Sequence, residues 1–219
     1  MNLAPFFRNY ETLVDRAESA FLKMEKDYGS CMGCGLHCSD CCNAVFGLFL
    51  IEAIYIREHF NGIDDSLKEE IFLRADRSDR DIKALQQKLL TFKDDPHMQT
   101  YTISRERIRC PFLDDGDECI LYHRRPITCR VYGIPTKIQG KVRVCGKSGF
   151  KTGESYPVFD LDTLYKDLFL ISRELLSDAG SKDLDKASLL ISLSKAIRTP
   201  TEELIHGTFA KAGEPDPRV

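Results

Sequence analysis

The sequence has no tryptophan and no long hydrophobic run among its 219 residues. Its longest apolar run, Ala44 to Ile51, is far shorter than the roughly 20 residues that a membrane-spanning helix needs. The segment from Met1 to Arg8 lacks a charged stretch followed by an apolar one, so we expect no secretion signal and no membrane association. We therefore predict a cytoplasmic location, where thiols stay reduced.

A strong charge of either sign is also absent. The chain has 31 basic and 34 acidic residues, for a net charge of −3, so no overall basic field attracts nucleic acid or anionic lipid. A Walker loop, a Rossmann glycine pattern and a serine-type triad are missing as well. The length is sufficient to bury a full core, and we expect a single domain over residues 1–219.

Cysteine, in contrast, is abundant. The chain has nine cysteines, five of which fall within twelve residues. Thiolates are soft ligands that suit zinc and iron–sulfur clusters, and the two Cys-x-x-Cys spacings of the compact group allow two sulfurs to reach one metal. The sequence therefore predicts a cysteine-ligated metal protein. The predicted ligands are Cys31, Cys34, Cys38, Cys41, Cys42, Cys110, Cys119, Cys129 and Cys145.

Three other interpretations of these cysteines are weaker. A disulfide framework is disfavoured by the odd count, the vicinal Cys41-Cys42 pair and the lack of a secretion signal. A redox dithiol at Cys31-Met-Gly-Cys34 requires a preceding strand in a thioredoxin-like unit, and an amphipathic helix precedes it instead. Buried, chemically inert thiols are the third alternative.

The dispersed cysteines lie in short motifs. These are Cys110-Pro-Phe-Leu, Cys119-Ile-Leu-Tyr and Arg125-Pro-Ile-Thr-Cys129-Arg130, with Cys145 downstream. Together with a Cys-x-x-Cys-Gly run that ends in Cys-Cys, they resemble the YkgJ-type cysteine-cluster family, which is described as zinc- or iron-chelating. The resemblance covers residues 29–150 and implies a metal-binding core there. Cys38 is extra relative to the usual run, so one cysteine of the compact group is spare.

The sequence leaves the kind and number of metal sites open. Zinc, iron and an iron–sulfur cluster such as 4Fe-4S all fit, in two sites or in one interleaved centre. A thiolate-bound metal is negatively charged and favours nearby cations. Residues 105–145 carry nine basic and five acidic residues (9 − 5 = +4). We predict Arg125 and Arg130 as hydrogen-bond donors to sulfur, with a solvated basic surface as the alternative. His37 and His123 are alternative ligands or surface histidines.

The hydrophobic pattern predicts a mostly α fold (α+β), with helices enclosing the cysteine-rich core and a small β hairpin. The predicted elements are helices over 8–28 and 48–60, one or two helices over 64–93 with Arg74 to Asp81 exposed, a hairpin over Thr136–Cys145 turning at Gln139-Gly140, and a helical part over 156–212. In that last part, Ala187, Leu190, Ile191 and Ile197 are expected on one helix face. Thr199 is expected to cap a final helix that reaches about Lys211, before a frayed tail over 213–219.

Three functions fit these observations. The first is a metal-binding protein without turnover, which predicts closed coordination and no substrate pocket. The second is an iron–sulfur enzyme such as a protein lysine N-methyltransferase, because flagellin lysine N-methylases have a similar cysteine run. The third is a protein-interaction domain whose zinc is purely structural. The sequence indicates no particular protein partner.

Overall fold

The computed structural model describes residues 1–35, 37–151 and 153–207. It is mostly helical with a small sheet, which confirms the predicted fold class. The helices are α1 (Ala4–Tyr28), α2 (Leu50–Asn61), α3 (Asp65–Leu90), α4 (Pro96–Arg105), α5 (Ile127–Arg130), α6 (Leu161–Asp178), α7 (Leu193–Arg198) and α8 (Thr201–His206).

The first two helices enclose the compact cysteine group, as predicted. α1 buries one stripe of side chains that includes Tyr10, Leu13 and Ala17, at the spacing that brings residues onto one helix face. α2 is buried over most of its length because α1, α6, α7 and α8 pack around it. The loop from Gly29 to Phe49, which carries five cysteines, is therefore fixed at both ends to the hydrophobic core.

α3 is one long helix. The prediction that Arg74 to Asp81 is exposed is partly wrong. Ala75 is fully buried and Ser78 is only 6% exposed, while the Arg74 Nε donates to the Pro111 carbonyl at 3.0 Å. This stretch is buried because it packs on the loop of the second cysteine group and on α7. α4 follows α3 and was not predicted. Its start could have been recognised from Asp95, which caps the first turn.

The predicted hairpin is present as β1 (Thr136–Ile138) and β2 (Lys141–Arg143). Its turn residues Gln139 and Gly140 both have positive φ, 53° and 71°, as in the primed turns that match the strand twist. The Asp162 carboxylate accepts hydrogen bonds from both turn amides. A third strand, β3 (Phe159–Asp160), pairs parallel to β1 and gives the order β2-β1-β3.

The region after α6 corrects two predictions. Leu190 is 60% exposed, and Ile191 forms a bridge to Leu48 in place of a helical turn. Thr199 does not cap the last helix, because its amide bonds to the Lys195 carbonyl and it terminates α7; α8 follows Pro200 without a side-chain cap. The helix extension predicted to Lys211 falls outside the described residues from position 208, as does the frayed tail over 213–219.

The helices are short or polar by the standard of membrane spans. Over residues 1–35, 37–151 and 153–207, none is long and apolar enough to cross a bilayer.

Candidate metal centre

The two cysteine groups meet because their loops are joined through the backbone. The Cys110 amide donates to the Cys42 carbonyl at 2.7 Å, and the Ile108 amide donates to the Asn43 carbonyl at 3.1 Å. On the other side of the loop, the Gly149 amide donates to the Cys31 carbonyl at 2.7 Å. Segments more than 60 residues apart in sequence are thereby held side by side.

These loops surround a cavity of about 660 Å³ beneath α1 and α2. Cys31 does not line it, but eight cysteines do: Cys34, Cys38, Cys41, Cys42, Cys110, Cys119, Cys129 and Cys145. All nine cysteines are free thiols in the described part of the chain. The structure thus brings together eight of the nine predicted ligands, including Cys38.

The inner cluster consists of Cys41, Cys42, Cys110, Cys119 and Cys129, which interact with one another through their thiols. The Cys41 and Cys42 sulfurs lie 4.0 Å apart. Hydrogen bonds from Cys129 and Cys42 lower the pKa of Cys41 to about 3. The bond from Cys42 to Cys119 raises the pKa of the Cys42 thiol and lowers that of Cys119. The cluster therefore favours a thiolate at Cys41, with protonated neighbouring thiols as its donors.

Burial opposes ionisation of the remaining inner thiols. It raises the pKa of Cys110 to about 12, and the pKa of Cys129 lies well above its ordinary value because of its bond to Cys41 and its burial. A metal ion binds thiolate and displaces the proton. Loading of this cluster would therefore release protons.

The outer cluster consists of Cys34, Cys38 and Cys145, with Asp40 beside Cys145. The Cys145 sulfur is 3.5 Å from Asp40 Oδ2 and accepts the Lys147 amide at 3.4 Å. Burial, followed by the neighbouring Cys38 and Cys145, raises the pKa of Cys34 to about 11. These three thiols come from both sequence groups, so the structural clusters do not follow the division seen in the sequence.

Arg125, the first of the two predicted donors to sulfur, pairs with Glu18 at 3.7 Å. Its guanidinium stacks 4.1 Å from the centre of the Tyr122 ring and lines the cavity. Its positive charge contributes to lowering the pKa of Cys41 and of Cys119. Its buried Nε has no hydrogen-bond partner among the described residues, so one N–H near the sulfurs is available.

Arg130 does not play the predicted role. Its guanidinium donates to the Arg125 carbonyl at 3.0 Å, to Glu18 at 2.9 Å and to the His123 carbonyl at 2.7 Å. All of these acceptors are oxygens, and the side chain is buried beside α1. Arg130 therefore fixes the loop that carries Cys129, and none of its hydrogen bonds within the described residues reaches a sulfur.

The two histidines line the cavity but are exposed. The His37 Nδ1 lies 3.2 Å from the Gly116 carbonyl and 3.9 Å from Glu118. These contacts direct one ring nitrogen of His37 away from the thiols and towards the loop after Leu113.

Sequence reasoning missed two carboxylates at this site. Asp40 is next to Cys41 and contacts Cys145. Its position between Cys38 and Cys41 could have indicated a carboxylate at the site. Glu52 is only 2% exposed and accepts the Phe49 and Ile127 amides, which ties α2 to the helix that carries Cys129. Its apolar neighbours in sequence gave no indication of that contact.

The donor set fits a thiolate-bound metal in chemistry, but the side chains are not in coordinating positions. Within the described residues, no group of three or more His, Cys, Asp or Glu side chains is placed to hold a metal ion. The thiols would have to rotate inward on binding. The sulfur-lined cavity, the low pKa of Cys41 and the buried Arg125 N–H all fit such a group.

Comparison with known proteins found no relative of this chain. No family model matches the chain, and neither the curated proteins nor the solved structures contain a match.

Proposed function

We propose that this protein is a cysteine-ligated metal protein of the YkgJ type, whose inner cluster holds zinc or iron, the latter as an ion or as a 4Fe-4S cluster. The observation that carries the proposal is the convergence of eight cysteines from separate segments on one cavity. Because such thiols persist only in reducing surroundings, we place the protein in the cytoplasm.

Two features of the inner cluster support this proposal. Five thiols exceed the four that a tetrahedral zinc site or a four-iron cluster needs. The Arg125 guanidinium beside Cys41 and Cys119 would offset the negative charge that thiolate ligands bring to a metal.

A second candidate is an iron–sulfur enzyme, for example a protein lysine N-methyltransferase. The observation that favours it is the size of the cavity, about 660 Å³, which falls within the range of small-molecule sites and exceeds the space that one metal ion occupies. Calorimetry with S-adenosylmethionine tests this candidate, and absence of binding by the metal-loaded protein would exclude it. A purely structural zinc site predicts instead a colourless protein that unfolds on chelation.

The proposal is tested with a matched pair of cysteine variants purified without air. Cys119→Ser removes an inner thiol, whereas Cys31→Ser alters the cysteine that does not line the cavity. Metal and acid-labile sulfide per chain are measured for both variants and for the wild type. We expect Cys119→Ser to bind less metal than the wild type, because it disturbs the bonded thiols of the inner cluster, and Cys31→Ser to bind as much as the wild type.

Two results would contradict the proposal. The first is a wild-type protein that contains no stoichiometric metal after anaerobic purification. The second is equal metal retention in the two variants, because the cavity would then have no part in binding.

A further inference from the structure

Asp40 points away from the inner cluster, although it directly precedes Cys41 in the chain. Its Oδ2 lies 3.5 Å from the Cys145 sulfur of the outer cluster. Its side chain is 15% exposed, at the edge of the cavity. Asp40 thus contacts the outer cluster, whereas Cys41 belongs to the inner cluster.

The distance from Asp40 to Cys145 suits two ligands of one zinc ion. In a tetrahedral site, Zn–S is about 2.3 Å and Zn–O about 2.1 Å, which separates the sulfur and oxygen by about 3.6 Å. The observed distance of 3.5 Å between the Cys145 sulfur and Asp40 Oδ2 agrees with that separation. The Cys145 thiol donates a hydrogen bond to Asp40 Oδ2 in the structure, and the two atoms have the spacing that two ligands of one zinc ion would need.

The other carboxylate oxygen of Asp40 is held by cations. Arg107 donates to Oδ1 at 2.7 Å and also to the Asp40 carbonyl at 3.1 Å, and the Lys147 ammonium lies 3.7 Å from Oδ1. Carboxylate ligands of metals are commonly oriented by such hydrogen bonds. Anchoring Oδ1 leaves Oδ2 directed towards the thiols.

The thiols of the outer cluster are also held by their backbone surroundings. The Lys147 amide, two residues after Cys145, donates to its sulfur at 3.4 Å. The Cys34 sulfur lies against Gly133, where a Cβ would approach it to 2.1 Å. Only glycine at position 133 leaves room for a sulfur in that place.

We propose that Asp40, Cys34, Cys38 and Cys145 form a second, separate zinc site on the Asp40 side of the cavity. Three sulfurs and one carboxylate oxygen match zinc and do not supply the four thiolates of a 4Fe-4S cluster. Cys31 then lies outside both clusters. This site does not depend on whether the inner cluster binds metal, so its failure and that of the proposed function can be distinguished.

The test compares zinc affinity in wild type, Asp40→Asn, Asp40→Cys and the exposed control Asp115→Asn, by competition with a chromophoric chelator. We expect the wild type and the control to hold this zinc equally. Asp40→Asn should bind it at least about 10-fold more weakly, and Asp40→Cys should restore binding because a thiolate can replace the carboxylate. The metal of the inner cluster, measured by its content and visible spectrum in each sample, should not change.

Wild-type zinc affinity in Asp40→Asn, or parallel loss of inner and outer metal, would overturn the inference. Circular dichroism shows whether each variant folds. If Asp40→Asn does not fold, zinc K-edge X-ray absorption of the wild-type protein decides. A shell of three sulfurs and one oxygen supports the site, whereas four sulfurs, or no bound zinc, refutes it.

Discussion

Glu52 gives the most quantitative prediction, because a fully buried carboxylate makes stability depend on pH. Its two oxygens accept the Ile127 amide at 3.1 Å and the Phe49 amide at 3.2 Å. Burial nevertheless raises its pKa from 4.5 to about 7, against the lowering effect of these two hydrogen bonds. The folded state therefore favours the protonated, neutral form of Glu52.

The sign and size of the effect follow from that difference in pKa. Since the folded pKa is higher than the unfolded one, the stabilisation is fully present below pH 4.5 and is lost as the pH rises to about 7. The difference of 7 − 4.5 = 2.5 pKa units corresponds to about 3 kcal/mol in the free energy of unfolding. Glu52→Gln removes this dependence but leaves one of the two amides without an acceptor, which costs about 1–3 kcal/mol.

The assay is urea denaturation of metal-free, reduced protein followed by far-ultraviolet circular dichroism, since the chain has no tryptophan. At about pH 5 the wild type should be more stable than Glu52→Gln by about 1–3 kcal/mol. By about pH 8 this difference should shrink by about 3 kcal/mol and vanish or reverse. A difference that stays constant with pH, or grows as the pH rises, would refute the reasoning.

Two further substitutions test the loops around the cavity. Gly133→Ala places a Cβ 2.1 Å from the Cys34 sulfur, so it should cost about 1–3 kcal/mol and weaken zinc binding in a chelator competition. Gly146→Ala meets no atom within 4 Å and is the matched control, so equal effects of the two would be contrary to expectation. Arg130→Met removes the donor to two backbone carbonyls and to Glu18 and should lower the free energy of unfolding by about 1–3 kcal/mol. Chemical denaturation measures that loss, and an unchanged midpoint would argue against the loop-fixing role.

The helices and the hairpin were predictable because their signals are local. α1 follows from its apolar periodicity, α2 follows from a short apolar segment that is buried on nearly all sides, and the hairpin follows from Gln139-Gly140 between short β-prone runs. The third strand was not predictable, since β3 has only two residues, Phe159 and Asp160, and is defined by pairing with β1. Leu190 was misplaced because its neighbour Ile191 bonds to Leu48, far away in sequence.

The site was predictable in its residue types but not in its arrangement. Cys31 has the most recognisable spacing in the sequence and yet does not line the cavity, whereas the extra Cys38 does. The Cys31 carbonyl accepts a hydrogen bond from the Gly149 amide. This contact depends on how two loops that are distant in sequence meet. The different directions of Asp40 and Cys41, adjacent in the chain, likewise depend on the tertiary fold.

The most direct test of the metal-binding proposal is the composition of the wild-type protein purified without air. Metal and acid-labile sulfide per chain are measured together with the visible spectrum. Zinc or iron at one or more equivalents per chain is the result expected here, with sulfide and a brown colour if the inner cluster holds 4Fe-4S. A folded, fully reduced protein with nine titratable thiols and no bound metal would contradict the account.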